Sequence, residues 1–385
     1  MIIWPDRHLL DLLGIELPIV QAPMAGSSTA ALAVAVAEAR GLGSLACALL
    51  SPDQVRAEVA TIRHGTSKPI NLNFFCHAPP TIDTAREAAW RQRLRPYYIE
   101  LALDPAMPAP APSLPPFGSV HCDLVAELEP EIVSFHFGLP SEDLLTRVKA
   151  TGAKILSSAT TVEEALWLEQ KGCDAIIAQG VEAGGHRGMF LSDTIATQVG
   201  TMALVPQLAD AVRVPIIAAG GIADGRGIAA AFALGASGVQ IGTAYLFCPE
   251  ANVPPLYRRA LKNLQDDQTA LTNIFTGRAA RAKINRVARE LGPMDQHAPT
   301  FPLAGAALAP LRAKSEAAGL DDFTPVWSGQ AAHLGRELPA GALTTLLAEE
   351  ACAACSRLPR IWSAKLNQAS APQPRAVFPP SKPLS

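Results

Sequence analysis

The sequence predicts an α/β chain folded as a (β/α)8 barrel with a small helical accessory lobe. Three observations predict it. From Pro18 to about Ala244, short aliphatic runs alternate with longer Ala/Leu/Glu/Arg segments of helical period. The runs number eight. Most are continuously apolar rather than alternating, as expected of parallel strands buried on both faces. An open doubly wound sheet more often has about five to seven strands, so eight units favour closure.

The strand runs, in order, are 18–22 (PIVQA), 43–46 (GSLA), 69–75 (PINLNFF), 132–137 (IVSFHF), 154–158 (KILSS), 174–179 (DAIIAQ), 215–219 (PIIAA) and 238–242 (GVQIG). Helical period marks 28–40, 52–63, 142–150, 161–171 and 226–234 between them. Gly41-Leu-Gly43-Ser-Leu-Ala46 fits the dinucleotide pattern G-x-G-x-x-G/A but ends a helix and opens a strand, the reverse of the required context. Barrel residues thus occupy 1–248, interrupted at 104–116 by a Pro-rich excursion (DPAMPAPAPSLPP) that cannot be regular structure. Residues 249–326 hold helix-compatible stretches at 256–264 and 278–290 and read as a helical lobe over the barrel mouth. Residues 327–367 return to the barrel, and the Pro/Ser/Ala-rich 368–385 read as a disordered tail.

Composition narrows the partners. The 385 residues are 49% hydrophobic and 17% charged, enough to bury a large core. Thirty-two Lys+Arg against 35 Asp+Glu leave a net charge of −3, with no basic, aromatic-interleaved patch for nucleic acid. The most apolar window, 30–37, is bounded by Ser27, Ser28, Thr29 and Glu38 and falls short of the ~18 residues of a membrane span. The N-terminal residues lack the order of a signal peptide. Seven scattered cysteines suit a reducing compartment, and the expectation is cytoplasm.

Ligands of such barrels bind at the C-terminal ends of the strands, and the residues closing each run are informative here. The seventh run ends in Ala219-Gly220-Gly221-Ile222 and the eighth in Gln240-Ile241-Gly242-Thr243. Paired glycines let backbone N–H groups approach an anion closely, and these two loops are the usual phosphate seat, so a phosphorylated ligand is indicated. The sixth run opens into a polar, glycine-rich loop, Gln179-Gly180-Val181-Glu182-Ala183-Gly184-Gly185-His186-Arg187-Gly188. Gln179 offers an amide that donates and accepts at once, and His186 stands over the mouth as a candidate acid–base group. His136 closes the fourth run and faces the same mouth. Asn71 and Asn73, of equal parity on the third, set two amides on one face, of which at least one should meet the ligand if that face is the lumen. The first run ends in Gln21-Ala22-Pro23-Met24-Ala25-Gly26, suited to a flat ligand lying against backbone. Cys352 and Cys355 have redox or zinc spacing, but they lie in a helical pattern without a second ligand pair and read as packing. His64, His77, His121, His297 and His333 show no ligand spacing, and no nucleophile elbow or Walker loop is present.

Taken together, QAPMAG (21–26), KPINLNFF (68–75), SFHFGLP (134–140), SSATTVEEA (157–165), QGVEAGGHRG (179–188), AAGGIADGRG (218–227) and QIGTAYL (240–246) resemble the class I nitronate monooxygenases, formerly called 2-nitropropane dioxygenases. The resemblance covers about 18–249 and returns at Trp327-Ser328-Gly329-Gln330. It implies a TIM barrel with non-covalent FMN and no metal. It further implies that Ala22, Pro23 and Met24 back the isoalloxazine, and that Asn71 and Gln179 contact the flavin ring system or its polar edge. Gly184, Gly220, Gly221, Gln240, Ile241, Gly242 and Thr243 then take the ribityl-phosphate side. His186 matches the family's active-site histidine and His136 a second one lining the substrate pocket. The implied reaction is oxidation of a small anionic nitronate, such as propionate 3-nitronate, by O2 to a carbonyl compound and nitrite. Protonated His186 would hold the nitro oxygens, whereas neutral His186 would take the α-proton of a nitroalkane. Tyr97, Tyr98, Tyr245, Tyr257 and Lys283 are candidates for the tyrosines and lysine that the family places around its substrate. Related FMN barrels are NAD(P)H-dependent quinone or enoyl reductases, the alternative reading.

Overall fold

The computed structural model describes residues 4, 6–108 and 114–366. The tail at 368–385 and part of the Pro-rich excursion, 109–113, lie outside the described residues.

All eight expected strands are present, as β1 (Ile19–Gln21), β2 (Gly43–Ala46), β3 (Ile70–Phe75), β4 (Ile132–His136), β5 (Lys154–Ala159), β6 (Ala175–Gln179), β8 (Ile216–Ala219) and β9 (Gly238–Ile241), with a two-residue β7 (Gly185–His186) inserted after β6. The barrel strands are parallel in the order β1-β9-β8-β6-β5-β4-β3-β2. Two 2.9 Å backbone bonds, Gln21 N to Leu42 O and Leu42 N to Ile19 O, join β1 to the approach of β2 and complete the circuit. Strand residues are buried almost throughout, which explains their continuous apolar runs. The helices start where local caps dictate. Ser51 and Gln54 form a capping box ahead of Pro52–Gly65, Thr161 accepts from Glu164 N, and Asp224 accepts from Arg226 N and Gly227 N.

The region after β9 differs from the expectation at one place. Residues 278–290 read as helix, yet they form β11 (Ala280–Lys283) and then a five-residue helix, Arg286–Glu290, capped by Asn285. β11 pairs antiparallel with β10 (Thr269–Thr272) on one side and with β7 on the other. Ala and Arg favour helix locally, but pairing on both edges outweighs that weak preference. Ala280 and Ala282 are buried, while Lys283 reaches Asp321 and Arg281 donates to Val181 O at 2.8 Å. A second hydrophobic cluster joins the helix Thr84–Glu100 to this region, with Trp90 Nε1 donating to Ala304 O (3.1 Å) and Tyr98 Oη to Ala307 O (2.6 Å). The long C-terminal helix Ala340–Leu366 carries Cys352 and Cys355 as free thiols and packs on the helices Gly225–Ala233 and Ala30–Glu38. Among the described residues no helix is long and apolar enough to cross a membrane.

Gly43 shows what the discarded glycine motif is for. A Cβ there would collide with the carbonyl of Ala33 and stand 2.8 Å from Ala33 Cα, so the helix Ala30–Glu38 lies directly on the strand backbone. Gly43→Ala is expected to cost about 1–3 kcal/mol in urea unfolding; an unchanged midpoint would show that the helix yields freely there.

Candidate active site

The strand ends converge on one cleft of about 1180 Å³, open mouth included. It is lined by Ala22–Met24 after β1, Asn73 and Phe75 on β3, His136 on β4, Gln179 on β6, Gly184–His186, Gly220 and Gly221 after β8, and Gln240, Gly242 and Thr243 at β9. The β1 segment is pinned: Ala22 N donates to Ile241 O (2.8 Å) and Met24 N to Ser28 Oγ (2.8 Å).

Asn71 and Ile241 are not among the residues lining the cleft wall. Asn71 is fully buried on β3, its Nδ2 on Ser44 Oγ at 3.1 Å and its Oδ1 without a hydrogen-bond partner among the described residues, and Asn73 of the same parity lines the cleft. Parity gives the face of a strand and not the depth. Ile241 alternates away from Gln240, its side chain packing in the hydrophobic core while its carbonyl accepts from Ala22 N.

The cleft also contains a cradle. Gly220 and Gly221 have φ of 116° and 71°, which an L-side chain rarely adopts. A Cβ on Gly220 would lie 2.9 Å from Thr201 Oγ1 and 3.0 Å from Ala183 N, and one on Gly184 only 2.5 Å from Gly329 N. Beside it, on the neighbouring strand, Gln240 Oε1 is buried without a hydrogen-bond partner among the described residues, an acceptor left for a ligand.

His186 sits in β7, whose pairing with β11 fixes its backbone. Its carbonyl accepts from Gln179 Nε2 (3.0 Å) and His136 Nε2 (3.1 Å). Gln179 Oε1 in turn accepts from Gly188 N at 2.7 Å, so this amide clamps the loop while lining the cleft. Because His136 Nε2 faces a carbonyl, it carries the proton, and Nδ1 accepts from Ser158 Oγ (3.1 Å). The His186 ring is bordered by Phe75, Phe301 and Trp327, with Nε2 bonded to Thr276 Oγ1 at 2.9 Å. Burial pushes its pKa down to about 3, aided by the Arg278 guanidinium and by competition with the neighbouring His136 and His77 for a proton. Burial likewise lowers His136 to about 4, against the His186 carbonyl, which raises it. Both rings are therefore neutral near pH 7.

Of the candidates for the substrate wall, Tyr257 lines the cleft and donates to Trp327 O at 2.6 Å. Tyr245 is fully buried on Thr344, Tyr97 and Tyr98 lie in the second cluster, and Lys283 is paired with Asp321. Residue-by-residue reading passed over Ser158, Thr276 and Trp327 as site groups. Only Ser158 and Trp327 fell within recognisable motifs; nothing in the run around Thr276 signals its contact.

The family model for nitronate monooxygenase matches residues 6–350. The chain belongs to the nitronate monooxygenase family. A nitronate monooxygenase of Pseudomonas aeruginosa is 44% identical over 348 residues, 88% of this chain and 97% of that one. Among solved structures, a nitroalkane oxidase from Streptomyces ansochromogenes superposes with a TM-score of 0.82 at 37% identity, covering 91% of this chain and 99% of that chain. FabK from Thermotoga maritima gives 0.71 at 28%, covering 93% and 100%. Membership makes this chain an oxidoreductase, and a family of flavoenzymes agrees with a cleft that keeps a glycine cradle and an unused buried acceptor.

The loop that carries His186 is held by buried charge. Arg187 is wholly buried and donates to Gln179 O (2.7 Å), Gly180 O (2.6 Å) and Gln198 Oε1 (2.9 Å). Glu164, 1% exposed, accepts from Thr160 N (2.7 Å) and Phe190 N (2.6 Å). Arg187→Met strands three acceptors, and we expect a loss of about 3 kcal/mol or more in chemical denaturation; a loss under about 1 kcal/mol would mean that water replaces the guanidinium.

Proposed function

We propose that the chain is an FMN-dependent nitronate monooxygenase that oxidises small alkyl nitronates, propionate 3-nitronate among them, with O2 to a carbonyl compound and nitrite. The observation that carries the reading is a neutral, largely buried His186 lining the same cleft as the glycine cradle. The residues present fit FMN. Ala22, Pro23 and Met24 would back its ring, Asn71 and Gln179 would contact the ring or its polar edge, Gln240 Oε1 would accept from a ribityl hydroxyl, and the N–H groups around Gly220, Gly221, Gly242 and Thr243 would hold its phosphate. FMN bound there would supply the electron transfer from nitronate to O2.

The protein's part is to orient the substrate and manage one proton. Neutral His186 can take the α-proton of a neutral nitroalkane and generate the nitronate in place, whereas a preformed nitronate needs no base. A protonated His186 holding the nitro oxygens is disfavoured by the same burial, so the base role is the better supported of the two. His136, with both ring nitrogens occupied, acts through the carbonyl of His186 as a positioning residue. All seven cysteines are free, which supports a reducing compartment such as the cytoplasm. Residues 249–326, which supply Tyr257 to the cleft and Thr276 to His186, are assigned as an accessory cover of the barrel mouth.

The test is nitrite release and O2 uptake with propionate 3-nitronate and with nitroethane. His186→Asn should lower nitroethane turnover by about 100-fold or more and affect the nitronate far less; equal losses would remove the base role. Lowering a histidine pKa keeps the neutral base present above the lowered value. kcat/KM for nitroethane should therefore stay level from about pH 7 to about pH 5, falling only as pH approaches the depressed value. An inflection near the ordinary histidine pKa would contradict this. Gly220→Ala should weaken FMN binding at least about tenfold in a fluorescence titration; undiminished affinity would place the phosphate elsewhere.

A further inference from the structure

We infer that Thr276 is the positioning residue that sets the tautomer of His186, presenting Nδ1 as the free base nitrogen. Nε2 of His186 lies 2.9 Å from Thr276 Oγ1, while Nδ1 has no hydrogen-bond partner among the described residues. The Thr276 hydroxyl has one proton to give, and the Arg278 carbonyl lies 3.4 Å from Oγ1 as its acceptor. Spent there, that proton leaves Oγ1 as an acceptor, so Nε2 carries the ring N–H and the lone pair stays on Nδ1. His186 lines the cleft, and Nδ1 is the nitrogen left for a ligand's proton.

The hydroxyl is held in place by the turn between β10 and β11, which is unusually constrained. Asn273 exchanges two bonds with Asp295, donating from Nδ2 to its carbonyl (2.9 Å) and accepting its N–H on Oδ1 (3.0 Å). Gly277 N closes the turn on Asn273 O at 2.7 Å. Gly277 itself has φ of 90°, and a Cβ there would strike the carbonyl of Pro299 and lie 2.8 Å from Phe301 N. Thr276 is thus fixed between two backbone anchors, and the Phe301 next to one of them also borders the His186 ring at 5.2 Å between centroids. A base oriented by a second residue on a rigid support is the arrangement that keeps a single nitrogen aimed at the substrate.

This inference rests on the base role proposed above, and its test separates the two. In FMN-loaded enzyme with 15N-labelled histidine, the His186 resonances should show a protonated Nε2 and an unprotonated Nδ1. In Thr276→Val the two nitrogen shifts should move toward a mixture of tautomers, and Thr276→Ser should restore them. The ratio of kcat/KM for ethylnitronate over nitroethane should rise about 10- to 100-fold in T276V and return in T276S. Should T276V fail to fold, Thr276→Ala gives the same readouts. Unchanged shifts and an unchanged ratio in the variants, or a wild-type His186 protonated on Nδ1, would overturn the inference. The expected tautomer and its loss in T276V, in an enzyme that leaves nitroethane untouched, would uphold Thr276 as the tautomer-setting residue and reject the base role alone.

Discussion

The carbonyl oxygen of His186 is the point on which the site depends. It accepts from Gln179 Nε2 and His136 Nε2, so one backbone atom of a two-residue strand ties β6 and β4 to the inserted loop. Each donor is committed by a further bond, Gln179 Oε1 to Gly188 N and His136 Nδ1 to Ser158 Oγ. Remove the carbonyl from this position and both side chains carry a buried N–H without an acceptor, a cost of about 1–3 kcal/mol each. The loop is therefore held in the one arrangement that satisfies the strand ends beneath it.

Around that point the chain uses charge where a loop ordinarily uses water. Arg187 caps the carbonyls that end β6, and Glu164 gathers N–H groups from both sides of the loop's exit. Groups of this kind are costly to bury alone and are tolerated because their hydrogen-bonding capacity is filled by fixed backbone. The consequence reaches the chemistry. A tightly hydrogen-bonded loop keeps the His186 ring among Phe75, Phe301 and Trp327, and that enclosure is what leaves it neutral. Packing of the loop and basicity of the ring are one phenomenon.

Much of this was legible in the sequence, for physical reasons. Strands buried on both faces leave uninterrupted aliphatic runs, and all eight barrel strands coincide with such runs; 43–46 matches to the residue. Glycines that must accept positive φ or touch backbone cannot be replaced cheaply, so Gly220 and Gly221 stood out as a cradle, which the family resemblance extended to Gly184. Burial depth and distant pairing are not written into single residues. Asn73 lines the cleft while Asn71 is fully buried on the same face of β3, and Ile241 turns its side chain to the core between two cleft residues. β11 is built from good helix formers and exists because β7 and β10 flank it. Thr276 meets His186 across 90 residues of chain, with no local pattern to announce it.

The proposed function has electrons enter this cleft from a nitronate. The decisive experiment mixes FMN-loaded protein anaerobically with propionate 3-nitronate, and separately with NADH, while the visible flavin absorbance is followed. A spectral change with the nitronate is expected, followed by nitrite release and O2 consumption once air is admitted, with no rapid bleaching by NADH. Rapid bleaching by NADH together with an inert nitronate would contradict it and make this barrel a nicotinamide-dependent reductase.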